Sequence, residues 1–347
     1  MAKTKQAGSA AQRRAQERQQ RQRKEEVRVS TRSTKEPGRG PTIRKKDRSG
    51  LYMVIGVLAL IAVIIVAIVL LKNFQPAAQT NTNPLLKPVP ADPALLQKVT
   101  GVNQSTWETV GTGGLTNAFQ TTSGQPPLTG PNGHPEFLYV GGEFCPHCAA
   151  ERWAMINALS RFGTFSNLSQ MQAYEYNIST FGFHGSMYNS QYIDFAPVEV
   201  NGNALDNSGG YVSLQKMTPE QEQIFTKYNP SQSFPFMNIG NQYIATQATY
   251  QFTTLMDSSQ QNSLSWKTIA DALSDTKSPI SKSILGSANY MTAAMCNLTK
   301  QQPGNVCNVP VIQQIEQTLN KTARTTGSHT LALAPVNLVA AQRRVLG

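Results

Sequence analysis

The sequence predicts an α/β domain, a mixed sheet flanked by helices, preceded by one transmembrane helix. Three observations carry the prediction. Residues 51–71 form an uninterrupted apolar run, LYMVIGVLALIAVIIVAIVLL. From residue 136 onward, strand-like and helix-like segments alternate. A close cysteine pair, Cys145 and Cys148, falls where the first of those strands hands over to a helix.

The chain has 347 residues, with 31 Lys and Arg against 20 Asp and Glu; 16 of the bases but only 5 of the acids lie in the first fifty. The rest is electrically neutral, so the basic character belongs to an N-terminal arm and not to a domain. No nucleic-acid partner is expected for the C-terminal part. The arm, residues 1–50, is rich in Gln, Arg and Lys and poor in apolar residues. Disorder is expected there, with orientation in the membrane and contact with lipid headgroups as its role.

At 1.5 Å rise per residue, 51–71 makes about 30 Å of helix, the thickness of the hydrocarbon layer. It carries no polar stripe of the kind a buried core helix would show. A cleaved signal peptide fits less well, because the charged lead and the apolar run are both too long and no small-x-small site follows. Arg44, Lys45, Lys46 and Arg48 precede the span, whereas only Lys72 follows it closely. The positive-inside rule then puts the N-terminus in the cytoplasm and the C-terminal domain outside, in a single-pass arrangement at the cell membrane. Disulfides persist in that compartment.

Residues 72–93, rich in Pro, Asn and Thr, read as an extended linker; 94–310 as the extracytoplasmic domain; 311–347 as a C-terminal helix and tail. A short helix is expected around Leu95–Val102. EFLYV, residues 136–140, is an apolar run of strand length bounded by Pro135 and Gly141-Gly142. Helical spacing then runs from Cys148 through Ala149, Trp153, Ile156 and Leu159 to Phe162, and Gly163 ends it. Strands are expected over Gln172–Ile178 and Tyr192–Val200, and a helix over Pro219–Tyr228 capped by Thr218. Phe236–Ile239 and Gln242–Ile244 flank Gly240-Asn241, a hairpin signature. Helices are expected over Ser263–Leu273 and Ser283–Cys296.

Cys145-Pro146-His147-Cys148 therefore opens a helix. A thiolate attacks disulfides, and a helix N-terminus lowers a thiol's pKa through its unpaired N–H groups and dipole. Pro146 is tolerated in the first turn, His147 adds charge when protonated, and Cys148 is within reach to resolve a mixed disulfide. The alternatives are a static disulfide or half of a zinc site; haem attachment would need a His after Cys148, where Ala149 stands. Glu143, Glu151 and Arg152 flank the motif and read as solvated or salt-bridged residues of a helix face. Cys296 and Cys307 bracket a Pro303-Gly304 turn and read as a structural disulfide, with a pair shuttling electrons to the first dithiol as the sharper alternative. Five N-x-Ser/Thr sequons begin at Asn103, Asn167, Asn177, Asn297 and Asn320. In a chain this rich in Asn, Ser and Thr, several are expected by chance. No cofactor or metal is implied.

EFLYV followed by CPHC, and then FPFMNIGNQY (residues 234–243), resembles the thioredoxin superfamily. The Pro-His dipeptide is that of its oxidising, DsbA-like branch. A closer resemblance, covering roughly residues 90–310, is to an uncharacterised family of membrane-anchored thioredoxin-like proteins of archaea and some bacteria, a domain of unknown function. That likeness rests on FLYVGGEFCPHCAAERWAMINALSRFGTF, FPFMNIGNQY and the late ANYMTAAMC and PGNVC. The resemblance implies a thiol–disulfide oxidoreductase with Cys145 as the exchanging sulfur, Cys148 as the resolving one and His147 stabilising the thiolate. Phe234 and Pro235 would be the substrate-binding cis peptide. It implies exported cysteine-containing proteins as clients and a membrane redox partner that recycles the dithiol. The competing expectation is a non-catalytic cell-surface binding module with a fixed disulfide or a metal at CPHC. The long helical insertion typical of DsbA-like proteins is not evident between Arg161 and Pro235, and Phe144 precedes Cys145 where that family has tryptophan.

Overall fold

The computed structural model of the chain describes residues 83–116 and 118–326, the last five of them by backbone alone. The strands are β1 (Val89–Pro90), β2 (Gln120–Thr121), β3 (Glu136–Gly142), β4 (Gly163–Ser166), β5 (Ser169–Gln172), β6 (Ser179–Gly182), β7 (Met187–Ser190), β8 (Asp194–Leu205), β9 (Tyr211–Ser213), β10 (Phe236–Ile239) and β11 (Tyr243–Ala245). The helices are α1 (Pro93–Thr100), α2 (Gln104–Val110), α3 (Pro146–Leu159), α4 (Pro219–Tyr228), α5 (Trp266–Ala272), α6 (Pro279–Leu298), α7 (Gly304–Cys307) and α8 (Pro310–Thr326). The N-terminal arm, the apolar run 51–71 and the tail beyond residue 326 lie outside the described residues. Among the described residues, no helix is long and apolar enough to cross a membrane.

A six-stranded mixed sheet runs in the order β2-β11-β10-β3-β8-β9. β3 and β8 are parallel and every other neighbour is antiparallel. Hydrogen-bonded on both sides and covered on both faces, β3 needs apolar residues in succession, which is why EFLYV does not alternate with polar ones. Phe137 and Tyr139 point into the larger core, shared with α3 and α6. Leu138 and Val140 enter a smaller core with Phe225 of α4 and Phe236 of β10. The sheet is thus flanked by helices on both faces, as expected.

α3 is buried on all sides, packed by α1, α6, β6 and a 3-10 turn at Phe252–Leu255. Thr218 caps α4 in a reciprocal box: its side chain accepts from Gln221 N–H (3.2 Å), and its own N–H donates to Gln221 Oε1 (2.9 Å). Gly240 and Asn241, at φ +62° and +58°, make the β10–β11 turn, and the returning strand begins at Tyr243.

Two expectations change. Gln172–Ile178 is not a strand. β5 ends at Gln172, β6 begins at Ser179, and between them Tyr176 and Asn177 stand at φ +60° and +49°, which no strand tolerates. The last part of the expected linker is also not free. Residues 84–86 form a 3-10 turn, β1 pairs with β5, and Ala91 N–H donates to Leu168 O (3.0 Å). A second ribbon, β4–β7, and helix α2 were not anticipated. Between Arg161 and Pro235 the one helix is α4, consistent with the missing insertion.

Cys296 of α6 and Cys307 of α7 form a disulfide, both fully buried. Closing so short a loop stabilises by about 2–3 kcal/mol in the chain-entropy picture. Beyond it, α8 seals the core with Ile312, Ile315 and Leu319.

Candidate functional site

The dithiol sits where β3 ends and α3 begins. Cys145 is the N-cap of α3: its backbone is extended (φ −80°, ψ 123°) and its Sγ accepts from Cys148 N–H at 3.4 Å. Pro146 follows at the first helical position, where it sacrifices no hydrogen bond. Both thiols are free; Cys145 is 7% exposed and Cys148 fully buried.

Their environments pull them apart. Cys145 is lowered from its ordinary value, first by hydrogen bonding from the Cys148 side chain, against the opposing effect of burial. The Cys148 and His147 backbone N–H groups and the Arg152 charge add to the lowering. Cys148 is pushed well above the usual thiol range, chiefly by burial and by its contact with Cys145. One sulfur is prepared as a thiolate and its neighbour is held as a thiol.

Arg152 supplies the fixed charge beneath the pair. Its Nε and Nη2 each donate to Glu199 on β8 at 2.8 Å, a bidentate pair, and Nη2 also donates to Gly142 O at 2.9 Å. Both side chains have zero exposure. Arg152 follows Cys145 and Cys148 at seven and four residues, on the same face of α3, so its position was readable from spacing. Glu199 lies on another strand and had no such signal. Tyr139 was also missed. Its hydroxyl lies against Cys148, in a space left by Gly141, where a Cβ would collide with Tyr139 Oη and stand 3.0 Å from Cys148 Sγ.

Glu151, expected on a solvated or salt-bridged face, is fully buried because α6 and the residue 249 loop cover that side of α3. Its carboxylate accepts from Thr249 N–H (2.8 Å), Thr249 Oγ1 (2.9 Å) and Ser287 Oγ (3.0 Å). Burial raises its pKa to about 7, against the opposing effect of those bonds. The folded chain therefore keeps a proton that the unfolded chain releases near 4.5. This contribution to stability is complete below the unfolded value and declines by about 1.4 kcal/mol per pH unit until pH passes about 7. Glu151→Gln is expected to flatten that slope in urea titrations run between about pH 5 and 8. A residual slope of the same sign belongs to Glu136, raised to about 7 by burial and by Asp194. An unchanged slope in the Gln variant would place the dependence elsewhere.

His147 is half-buried, edge-on to Phe252 with centroids 4.9 Å apart, and burial lowers its pKa from 6.5. Phe252 also meets the exposed Tyr176. On the other side, Phe144 stacks on Tyr211 at 3.8 Å, and Glu175 N–H donates to Phe144 O. Phe144 and His147, close to Cys145 in the sequence, thus each rest on a further aromatic ring. Glu143 is buried too, and its pKa is raised by burial first and then by Glu199.

The Phe234–Pro235 peptide is cis. Phe236 pairs with Val140, so continuing that register sets Pro235 and Phe234 beside Gly141 and Gly142, at the strand end that feeds Cys145. The Phe234 ring packs toward Phe225 of α4. Cys296 and Cys307 are bonded to each other. Among the described residues, no group of three or more His, Cys, Asp or Glu side chains is placed to hold a metal.

No curated protein and no solved structure matches the chain. Residues 125–297, which include the dithiol, the Phe234–Pro235 bond, Arg152 and Glu199, match a family described as Domain of unknown function (DUF929).

Proposed function

We propose that the chain is a thioredoxin-like thiol–disulfide oxidoreductase that oxidises cysteine pairs in exported proteins through Cys145 and Cys148. In this reading the run 51–71 anchors it in the cell membrane with the N-terminus in the cytoplasm. The observation that carries the proposal is the opposed pull on two adjacent thiols, lowering Cys145 and raising Cys148. A static disulfide has no use for such asymmetry. Exchange needs it, because the attacking or attacked sulfur must be a good thiolate while its partner stays protonated until called on. The strand-to-helix placement of CPHC, the Phe234–Pro235 bond beside it and the β10–β11 hairpin support the thioredoxin-like assignment.

In the forward reaction a client thiolate attacks Cys145 Sγ of the oxidised pair. The Cys145–Cys148 bond breaks, and its electron pair goes to Cys148. A second client thiolate then attacks the mixed disulfide, forming the client's disulfide and releasing Cys145 as thiolate. Two electrons have passed to the pair, and a membrane redox partner removes them. Phe234 and Pro235 hold the client's extended backbone, and Pro146 and His147 shape the first turn that presents Cys145.

Equilibrating the full-length chain with glutathione buffers and counting labelled thiols by mass gives the pair's reduction potential. A value near about −120 mV is expected for an oxidant, whereas about −270 mV assigns a reductant. Cys148→Ala is expected to accumulate mixed disulfides through Cys145. A pair that never titrates would favour the binding-module reading and end the proposal.

A further inference from the structure

Two buried donors of the site have no oxygen or nitrogen to bond, and the hydroxyl of one meets only the Cys148 sulfur. Tyr139 Oη has no oxygen or nitrogen partner, and neither has Arg152 Nη1, although both side chains have zero exposure. Leaving one such group unsatisfied costs about as much as a typical single mutation, and two together in one native site ask for a partner that arrives during function. Tyr139 Oη lies against Cys148 Sγ, and the Arg152 guanidinium is close enough for its charge to act on that sulfur. Tyr139 Oη and Cys148 Sγ occupy the two sides of the space above Gly141, and the Arg152 charge acts on both Tyr139 and Cys148. The other donors of Arg152 are fixed on Glu199 and Gly142 O, which holds the guanidinium charge in place. Tyr139 is stacked edge-on against Phe183, with centroids 5.5 Å apart, which fixes its ring.

We propose that Tyr139 Oη receives the Cys148 thiolate when it leaves the Cys145–Cys148 disulfide, in the field of the Arg152 guanidinium. The inference rests on the exchange reaction proposed above and adds the groups that stabilise its leaving sulfur. A client thiolate forms a bond to Cys145 Sγ, the Cys145–Cys148 bond breaks, and the electron pair comes to rest on Cys148 Sγ. That sulfur is fully buried, where an unaccompanied anion is strongly disfavoured. The Tyr139 O–H, already against the sulfur, supplies a charge-assisted hydrogen bond with no rearrangement, and the fixed Arg152 charge adds to it. Neither donor gives up its proton in this step. Cys148 takes a proton from solvent once the client has left.

Tyr139→Phe removes one oxygen whose only polar neighbour in the resting protein is the Cys148 thiol, so the full-length variant is expected to melt close to wild type. The oxidised variant is expected to react with dithiothreitol roughly tenfold more slowly at neutral pH, the effect of one hydrogen bond to a charged acceptor. In a Cys145→Ala background the same change is expected to raise the pH at which Cys148 absorbs as thiolate. Alkylation of Cys145 by iodoacetamide in the reduced protein is expected to stay at the wild-type rate. Equal dithiothreitol rates for variant and wild type would overturn the assignment while leaving the exchange reaction standing. A wild-type pair that never forms a disulfide would overturn both.

Discussion

Serine in place of Cys145 is expected to reduce disulfide exchange to the uncatalysed background without unfolding the protein. The proposed reaction passes through a disulfide bond to Cys145 Sγ, which an alcohol oxygen cannot form, so the expected loss is complete and not partial. The fold has no reason to suffer, because the residue caps α3 by accepting Cys148 N–H, a task for which serine is better suited than cysteine. Reduction of insulin by dithiothreitol, followed as turbidity, together with a thermal melt, checks both halves. Retained turnover in a well-folded serine variant would remove Cys145 from the chemistry.

The second large effect concerns the pair beneath the dithiol. Arg152→Met is expected to destabilise the chain by about 3–5 kcal/mol, because Glu199 is left charged and unpaired at zero exposure. Glu199→Gln strands the guanidinium instead and is expected to cost about as much. Against a total stability of roughly 5–15 kcal/mol, either change is severe, and urea titration reads it directly. The two variants separate in their effect on the thiols. Arg152 lowers both Cys145 and Cys148, whereas Glu199 raises Cys148. Loss of the arginine should therefore shift alkylation of Cys145 to higher pH, and loss of the glutamate should ease ionisation of Cys148. Identical thiol titrations in both variants would mean that the ion pair serves packing alone.

The elements that announce themselves in the sequence are those whose local chemistry permits one answer. EFLYV is apolar in succession because both faces of β3 are covered; Thr218 and Gln221 form a box at the start of α4; Gly240-Asn241 supplies two positive φ angles in a row. The dithiol and its helix were legible for the same reason, since a proline after Cys145 fits only a first turn. β5, by contrast, reads Ser-Gln-Met-Gln, and its one buried residue, Met171, gives no period to detect. The apolar Ile178 and the aromatics Tyr174 and Tyr176 drew the expected strand into what is a turn. Arg152 is salt-bridged, one of the two options its position offered, but the full burial of Glu151 and Arg152 was not legible because a charged residue on a helix normally marks its wet side. α3 has no wet side. That depends on α6, which joins the structure more than a hundred residues later, and no local pattern encodes it.

The enclosure of α3 has a further consequence. Trp153 Nε1 donates to Ser179 O, Thr180 Oγ1 to Ala149 O, and Tyr250 Oη to Ala150 O, so neighbouring elements grip the helix along much of its length. Its first turn cannot tilt or unwind to meet an incoming sulfur without disturbing the whole interior. In the proposed reaction, any adjustment to differently shaped clients would therefore have to come from outside this helix. For the oxidoreductase proposed above, so firmly held a centre would keep the geometry of the dithiol constant whatever sequence it meets.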